Sequence, residues 1–115
     1  MRVRMQTALL AMLIGGVAAQ PAWCDQWTPA LTPTSAQAEN FNGALSVYVS
    51  TTQPVLNPAN CPAADGWIAI DPVISKEALA MALTAIAANH QVQFYVSSTQ
   101  CARSRPMILS FQINW

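Results

Sequence analysis

Several groups of side chains have types and spacings that could do chemistry. Arg103 and Arg105 sit two residues apart beside Cys101, and a guanidinium pair of this kind can grip an anion such as an acidic sugar in bidentate fashion. The plainer reading of the same pair is a solvated loop. A second group comes from two alternating runs, Ser46, Tyr48 and Ser50 in one and Tyr95 and Ser97 in the other. In extended strands each set points to one side. If the two strands are neighbours, they present hydroxyls beside aromatic faces, a surface suited to a sugar or a peptide. An ordinary sheet face or an oligomer interface is the competing reading. From these groups the candidate ligand-binding set is Ser46, Tyr48, Tyr95 and Arg103.

The remaining polar groups point to structure. His90 is the single histidine, with no Ser, Cys or carboxylate spaced to partner it, so capping of a helix C-terminus is favoured over catalysis. Asp65 and Asp71 lie in Asp-Gly and Asp-Pro dipeptides, which are turn formers. No nucleophile, base and orienting group stand together. The expectation is therefore a protein that is not an enzyme, with no cofactor and no metal centre. A small hydrolase or an inhibitor is a weaker rival.

The elements that must position these residues follow from periodicity. Leu45, Val47 and Val49 alternate with Ser46, Tyr48 and Ser50, which predicts a half-buried strand after the Asn42-Gly43 turn. Trp67 to Ile70 predicts a short strand stopped by Asp71-Pro72, and the Pro-rich stretch between these strands predicts a long loop holding Cys61. Ser75 is a good N-cap for an alanine-rich helix, with Glu77 in its first turn. Leu79, Ala82, Leu83, Ile86 and His90 form its apolar stripe, and Asn89 can take the left-handed conformation that ends helices. Val92, Phe94 and Val96 then point inward from a strand. Ser98 to Pro106 reads as a polar loop. Met107, Leu109, Phe111, Ile113 and Trp115 form one face of a last strand. The order β-β-α-β-β predicts an α+β fold, one helix on a small antiparallel sheet curled into a partly open barrel.

Arg2 and Arg4 precede an uncharged apolar run from Thr7 to Ala19, the build of a secretory signal peptide. Ala22-Trp23-Cys24 offers small residues at the positions required ahead of a cut, placing cleavage between Cys24 and Asp25; Val17-Ala18-Ala19 fits as well. The run is short for a membrane span. The expected organisation is a signal peptide at 1–24, a flexible N-terminal arm at 25–41 broken by Pro29 and Pro33, and one domain at 42–115. Cleavage after Cys24 leaves Cys61 and Cys101 of the three cysteines. In an exported chain such a pair is most simply a disulfide, with two free thiols as the alternative. The processed chain carries Lys76, Arg103 and Arg105 against five carboxylates, a net charge of −2. No basic stripe is available for phosphates, so nucleic acid is not expected as a partner. A surface this poor in charge is compatible with a homo-oligomer.

Leu45 to Val49, Cys61 ahead of Gly66-Trp67-Ile68-Ala69-Ile70, the stretch from Ala80 to Val96, and Cys101 together resemble a group of small exported bacterial proteins. More remotely, they are similar to the B subunits of subtilase-cytotoxin-type AB5 toxins. The likeness spans roughly residues 40 to 115. Where those relatives carry Gly and Lys after the helix, this chain has Asn89, His90 and Gln91, which can still form the turn. The resemblance implies an OB-like small barrel with a Cys61–Cys101 bridge, and for the toxin subunits a pentamer that binds sialylated glycans. No glycan contact carries over to a residue of this chain. The expected role is that of a periplasmic or secreted binding protein, whose partner is a glycan or another exported protein.

Overall fold

The computed structural model describes residues 24–63 and 65–115. The expected signal peptide therefore lies outside the described residues, apart from Cys24. Among the described residues no helix is long and apolar enough to cross a membrane.

Strands β1 (Gln26–Trp27), β2 (Pro33–Phe41), β3 (Ala44–Thr51) and β4 (Trp67–Ile70) are followed by a 3-10 turn (Pro72–Ile74) and helix α1 (Ser75–Ala88). Strands β5 (Gln91–Ala102) and β6 (Arg105–Asn114) complete the fold. The order across the sheet is β1-β5-β6-β4-β3-β2. All neighbours are antiparallel except β4 and β6, which run parallel because α1 and β5 intervene. The fold is thus α+β, a mostly antiparallel sheet with one helix.

Residues 25–41, expected as a flexible arm, instead supply both edges of this sheet. Gln26 and Trp27 pair with Val96 and Tyr95, and Leu31 bridges Val92. Two residues later Pro33 pairs with Thr51, and the chain continues along β3 to the Phe41–Ala44 pair. The Thr32 carbonyl accepts from the Thr52 amide at 3.0 Å, tying the corner. The two edge strands are consecutive in the chain, so the sheet curls until its edges approach at residues 31–33.

The curled sheet holds the core. Val47, Val49, Ile68, Ile70, Val92, Phe94, Val96, Ile108 and Phe111 all bury their side chains, with Phe94 and Phe111 edge to face at 5.1 Å. The expected inward set Val92, Phe94 and Val96 is borne out. The helix is turned differently from the expected stripe. Its buried residues are Ser75, Ala78, Ala82 and Ala85, and Leu83 is 52% exposed. The inner sheet face already carries β-branched and aromatic bulk, and interiors pack to near-crystalline density. The space left above that face admits methyl groups, while the wider Leu79 and Met81 pack along the flanks.

Three further expectations change. The helix is not N-capped by Ser75. The Asp71 carboxylate caps the preceding 3-10 turn, accepting from the Val73 amide at 3.0 Å, and the Ser75 hydroxyl donates to the Asp71 carbonyl. Residues 98–106 are no loop: β5 and β6 run on to a two-residue turn at Arg103 and Ser104. The alternation of the last strand breaks at Leu109, because Ser110 pairs with Tyr95 while Ile108 pairs with Val96. That bulge leaves one extra residue in β6 and puts Ile108 and Phe111 on the same buried face. Asn89 does end the helix in the left-handed region, at φ 62 and ψ 41, and the His90 amide donates to the Ala85 carbonyl at 2.9 Å. The closure is made by the His90 backbone; its ring packs edge-on to Trp115 at 4.5 Å.

Candidate functional site

The outer face of β3 and β4 is bounded by the tips of two hairpins. The first tip is the Asn42-Gly43 turn between β2 and β3, both residues at positive φ (54 and 82) as a type I′ turn requires. The Asn40 side-chain oxygen accepts from the Gly43 amide at 2.8 Å and tightens it. The second tip, between β5 and β6, has the same handedness at Arg103 and Ser104 (φ 53 and 68) without glycine or asparagine to ease it. It is held from behind. Cys101 is bonded to Cys61, with the Cα atoms 5.8 Å apart, so the expected bridge is present. The Ala63 amide also donates to the Ser104 carbonyl at 2.9 Å. The long loop before β4 is thereby strapped to the second tip.

Between the tips lies a cleft of about 340 Å³, walled by Phe41, Leu45, Ala69, Met107 and Arg103 with Tyr48 in its floor. The Arg103 guanidinium carbon lies over the Phe41 ring, 3.3 Å from its centroid. One of its terminal nitrogens, Nη1, is shut off from solvent and has no hydrogen-bond partner among the described residues. Arg105 behaves differently. It makes a two-pronged contact with Asp65, Nε to Oδ2 at 3.1 Å and Nη2 to the same oxygen at 2.5 Å, and its guanidinium carbon is 5.0 Å from the Tyr48 ring centroid.

These contacts set the electrostatics. Hydrogen bonds from Arg105, then the Trp67 amide, hold the Asp65 carboxyl below its usual range, and the same pairing raises Arg105. Tyr48, only 4% exposed, has its phenol pushed up by burial first and by hydrogen bonding with Glu39 second. Tyr48 separates the cleft from a smaller hollow shared by Glu39, Asp65, Trp67 and Arg105. Charge is therefore satisfied on the Arg105 side and unsatisfied on the Arg103 side.

Of the expected ligand set, Ser46, Tyr48 and Arg103 meet at the cleft. Tyr95 does not; it stands on β5 against Trp27, ring centroids 5.3 Å apart, with β6 and β4 between it and Tyr48. Tyr48 and Ser97, expected to point out into solvent, are both buried. The Ser97 hydroxyl accepts from the amides of Thr99 and Gln100 and serves the bend in β5. Phe41 was hidden in the expected arm. The signal that reveals it is the Asn-Gly turn, which sets Phe41 opposite Ala44 once the preceding stretch is taken as a strand. At the expected cleavage point, Cys24 is free of any disulfide, and Asp25 accepts from the amide and hydroxyl of Ser98 at 2.8 and 3.0 Å. Among the described residues no three His, Cys, Asp or Glu side chains gather as metal ligands would.

Comparison with family models, with curated proteins and with solved structures returned no match to this chain.

Proposed function

We propose that the protein is an exported, non-catalytic binding domain with an OB-like barrel, and that the cleft between its hairpin tips is the binding site. Counting the bent stretch from Gln26 to Phe41 as one strand turns the sheet order into a ring of five, with the third and fifth strands parallel and the helix between the third and fourth. This connectivity supports the OB-like reading. In OB folds, ligands meet the face of the second and third strands and the loops after the first and fourth. Those places correspond to the β3–β4 face, the Asn42-Gly43 turn and the Arg103-Ser104 turn. The observation that carries the proposal is that the chain's largely apolar cleft, with its unsatisfied guanidinium, coincides with that position.

The basic, then apolar, N-terminal stretch and the Cys61–Cys101 bridge support export to the periplasm or beyond. A second reading, a glycan-binding subunit of an AB5-like assembly, is favoured by a charge-poor surface that leaves Val73 and Leu83 exposed for a neighbouring subunit. The test is ligand titration of the exported protein followed by amide NMR, with light scattering for its mass. Ligand-induced shifts concentrated on β3, β4 and the two tips support the proposal. Binding that leaves those signals still and moves only others sinks it. A pentameric mass together with glycan binding selects the second reading.

A further inference from the structure

We infer that the cleft takes a small amphipathic monocarboxylate, an acid with one negative charge and a flat or apolar body. This inference rests on the cleft being the binding site. Its volume, about 340 Å³, is at the small end for ligand pockets. The walls decide the body of the ligand. Phe41, Leu45, Ala69 and Met107 offer only hydrocarbon and sulfur, and beside the buried Tyr48 the lining adds one hydroxyl, that of Ser46. A sugar seated there would leave several hydroxyls without partners, and each unpaired polar group is costly to bury. An apolar or aromatic body incurs no such cost.

The head group follows from the charges. Arg105 is neutralised by Asp65, while Arg103 has no carboxylate within 4.0 Å among the described residues. Nη1 of Arg103 is shut off from solvent, but no other nitrogen of its guanidinium is both buried and unpartnered, and those open N–H groups gain a charge-assisted hydrogen bond when an acceptor enters. A planar guanidinium matches a planar carboxylate in bidentate fashion. One uncompensated cation, with Glu39 nearby on the far side of Tyr48, suits one negative charge better than two. The backbone contributes positioning. Arg103 is held in the left-handed region by the Cys61–Cys101 bridge and the Ala63–Ser104 hydrogen bond, and non-glycine residues kept in that conformation concentrate at ligand sites.

The test titrates 15N-labelled protein, recovered after export, with 4-phenylbutyrate, its uncharged amide 4-phenylbutanamide, lactose and 3′-sialyllactose. The expected result is that the acid shifts signals of Tyr48, Ala69 and Ala102 and binds at least about tenfold more tightly than the amide. In Arg103→Gln, whose spectrum shows whether it is folded, the acid should fall to the level of the amide, with the amide unchanged. Acid and amide binding alike to the unaltered protein overturns the inference without recourse to any variant, as does an acid preference that survives in Arg103→Gln. A sugar that moves the cleft signals when the acid does not overturns the inference but leaves the cleft as the binding site. If none of the four probes moves the cleft signals, the inference fails and the reading of the cleft as a site loses its support with it.

Discussion

The guanidinium carbon of Arg103 stands 3.3 Å from the centre of the Phe41 ring, joining the tips of two hairpins far apart in sequence. A cation over an aromatic face contributes about 0.5–1 kcal/mol when exposed and more when desolvated. Here the contact sits between a strained turn on one side and an apolar cleft on the other. Four outcomes follow from that arrangement and from the packing beneath it.

Replacing Arg103 by Asn together with Ser104 by Gly supplies residues suited to a type I′ turn. Relief of the left-handed conformation is worth about 1–2 kcal/mol per residue, and loss of the Phe41 contact opposes it. The expected net effect is a gain of about 1 kcal/mol in chemical denaturation, accompanied by loss of the response to the acid. A clear drop in stability would show that the Arg103–Phe41 contact outweighs the turn.

Removing the bridge with the pair Cys61→Ser and Cys101→Ser should cost about 4 kcal/mol by loop-closure entropy for a sequence separation of 40. Urea denaturation of the pair, beside the unaltered protein with and without reductant, measures it. Equal midpoints in all three samples would mean that the strap adds nothing to the fold.

The orientation of α1 is tested by two opposite changes. Leu83→Ala should move stability by no more than about 0.5 kcal/mol, as for an exposed position. Ala82→Leu should cost about 1–3 kcal/mol by overpacking, because Ala82 is fully buried. The reverse pattern would restore the stripe through Leu79, Leu83 and Ile86.

Asp65 gives a pH dependence of known sign. Its folded carboxyl is held below the unfolded value by Arg105. The contribution is therefore complete above the unfolded carboxylate value of about 3.9 and is lost as pH falls through the lower folded one. With the Asp65 side chain 42% exposed, the pair is worth less than about 1 kcal/mol. Urea midpoints of the unaltered protein and Asp65→Asn should differ slightly at pH 7 and draw together only as the pH falls below the ordinary carboxylate range. A gap that widens on acidification would contradict the pairing.

Much of this fold is legible in the sequence wherever bulk alternates. Val47 and Val49, Ile68 and Ile70, and Val92, Phe94 and Val96 announce their strands, and Asn89 announces the end of the helix. The second strand is silent because its buried residue is Pro33, a poor strand signal, and the core contact further along is the small, partly buried Ala36 opposite Val49. Its strand character comes from its partner rather than from its own side chains. The facing of α1 is also hidden, since Ala78, Ala82 and Ala85 make as regular a stripe as Leu79, Ala82, Leu83 and Ile86. Only the bulk on the sheet below decides between them. At the site, alternation places Ser46 and Tyr48 on one face, and Cys101 draws attention to Arg103. Tyr95 misleads because sharing a sheet face does not make two residues neighbours when two strands separate them.

The corner at residues 31–33 bears on how the chain reaches this shape. Leu31 meets Val92 and Gln26 meets Val96, partners 61 and 70 positions away. Bringing such distant segments together costs chain entropy before any contact repays it, and folds built on distant pairings assemble slowly. The segment from Gln26 to Leu31 therefore cannot settle until the fifth strand exists, so a part synthesised ahead of four other strands is among the last to find its place.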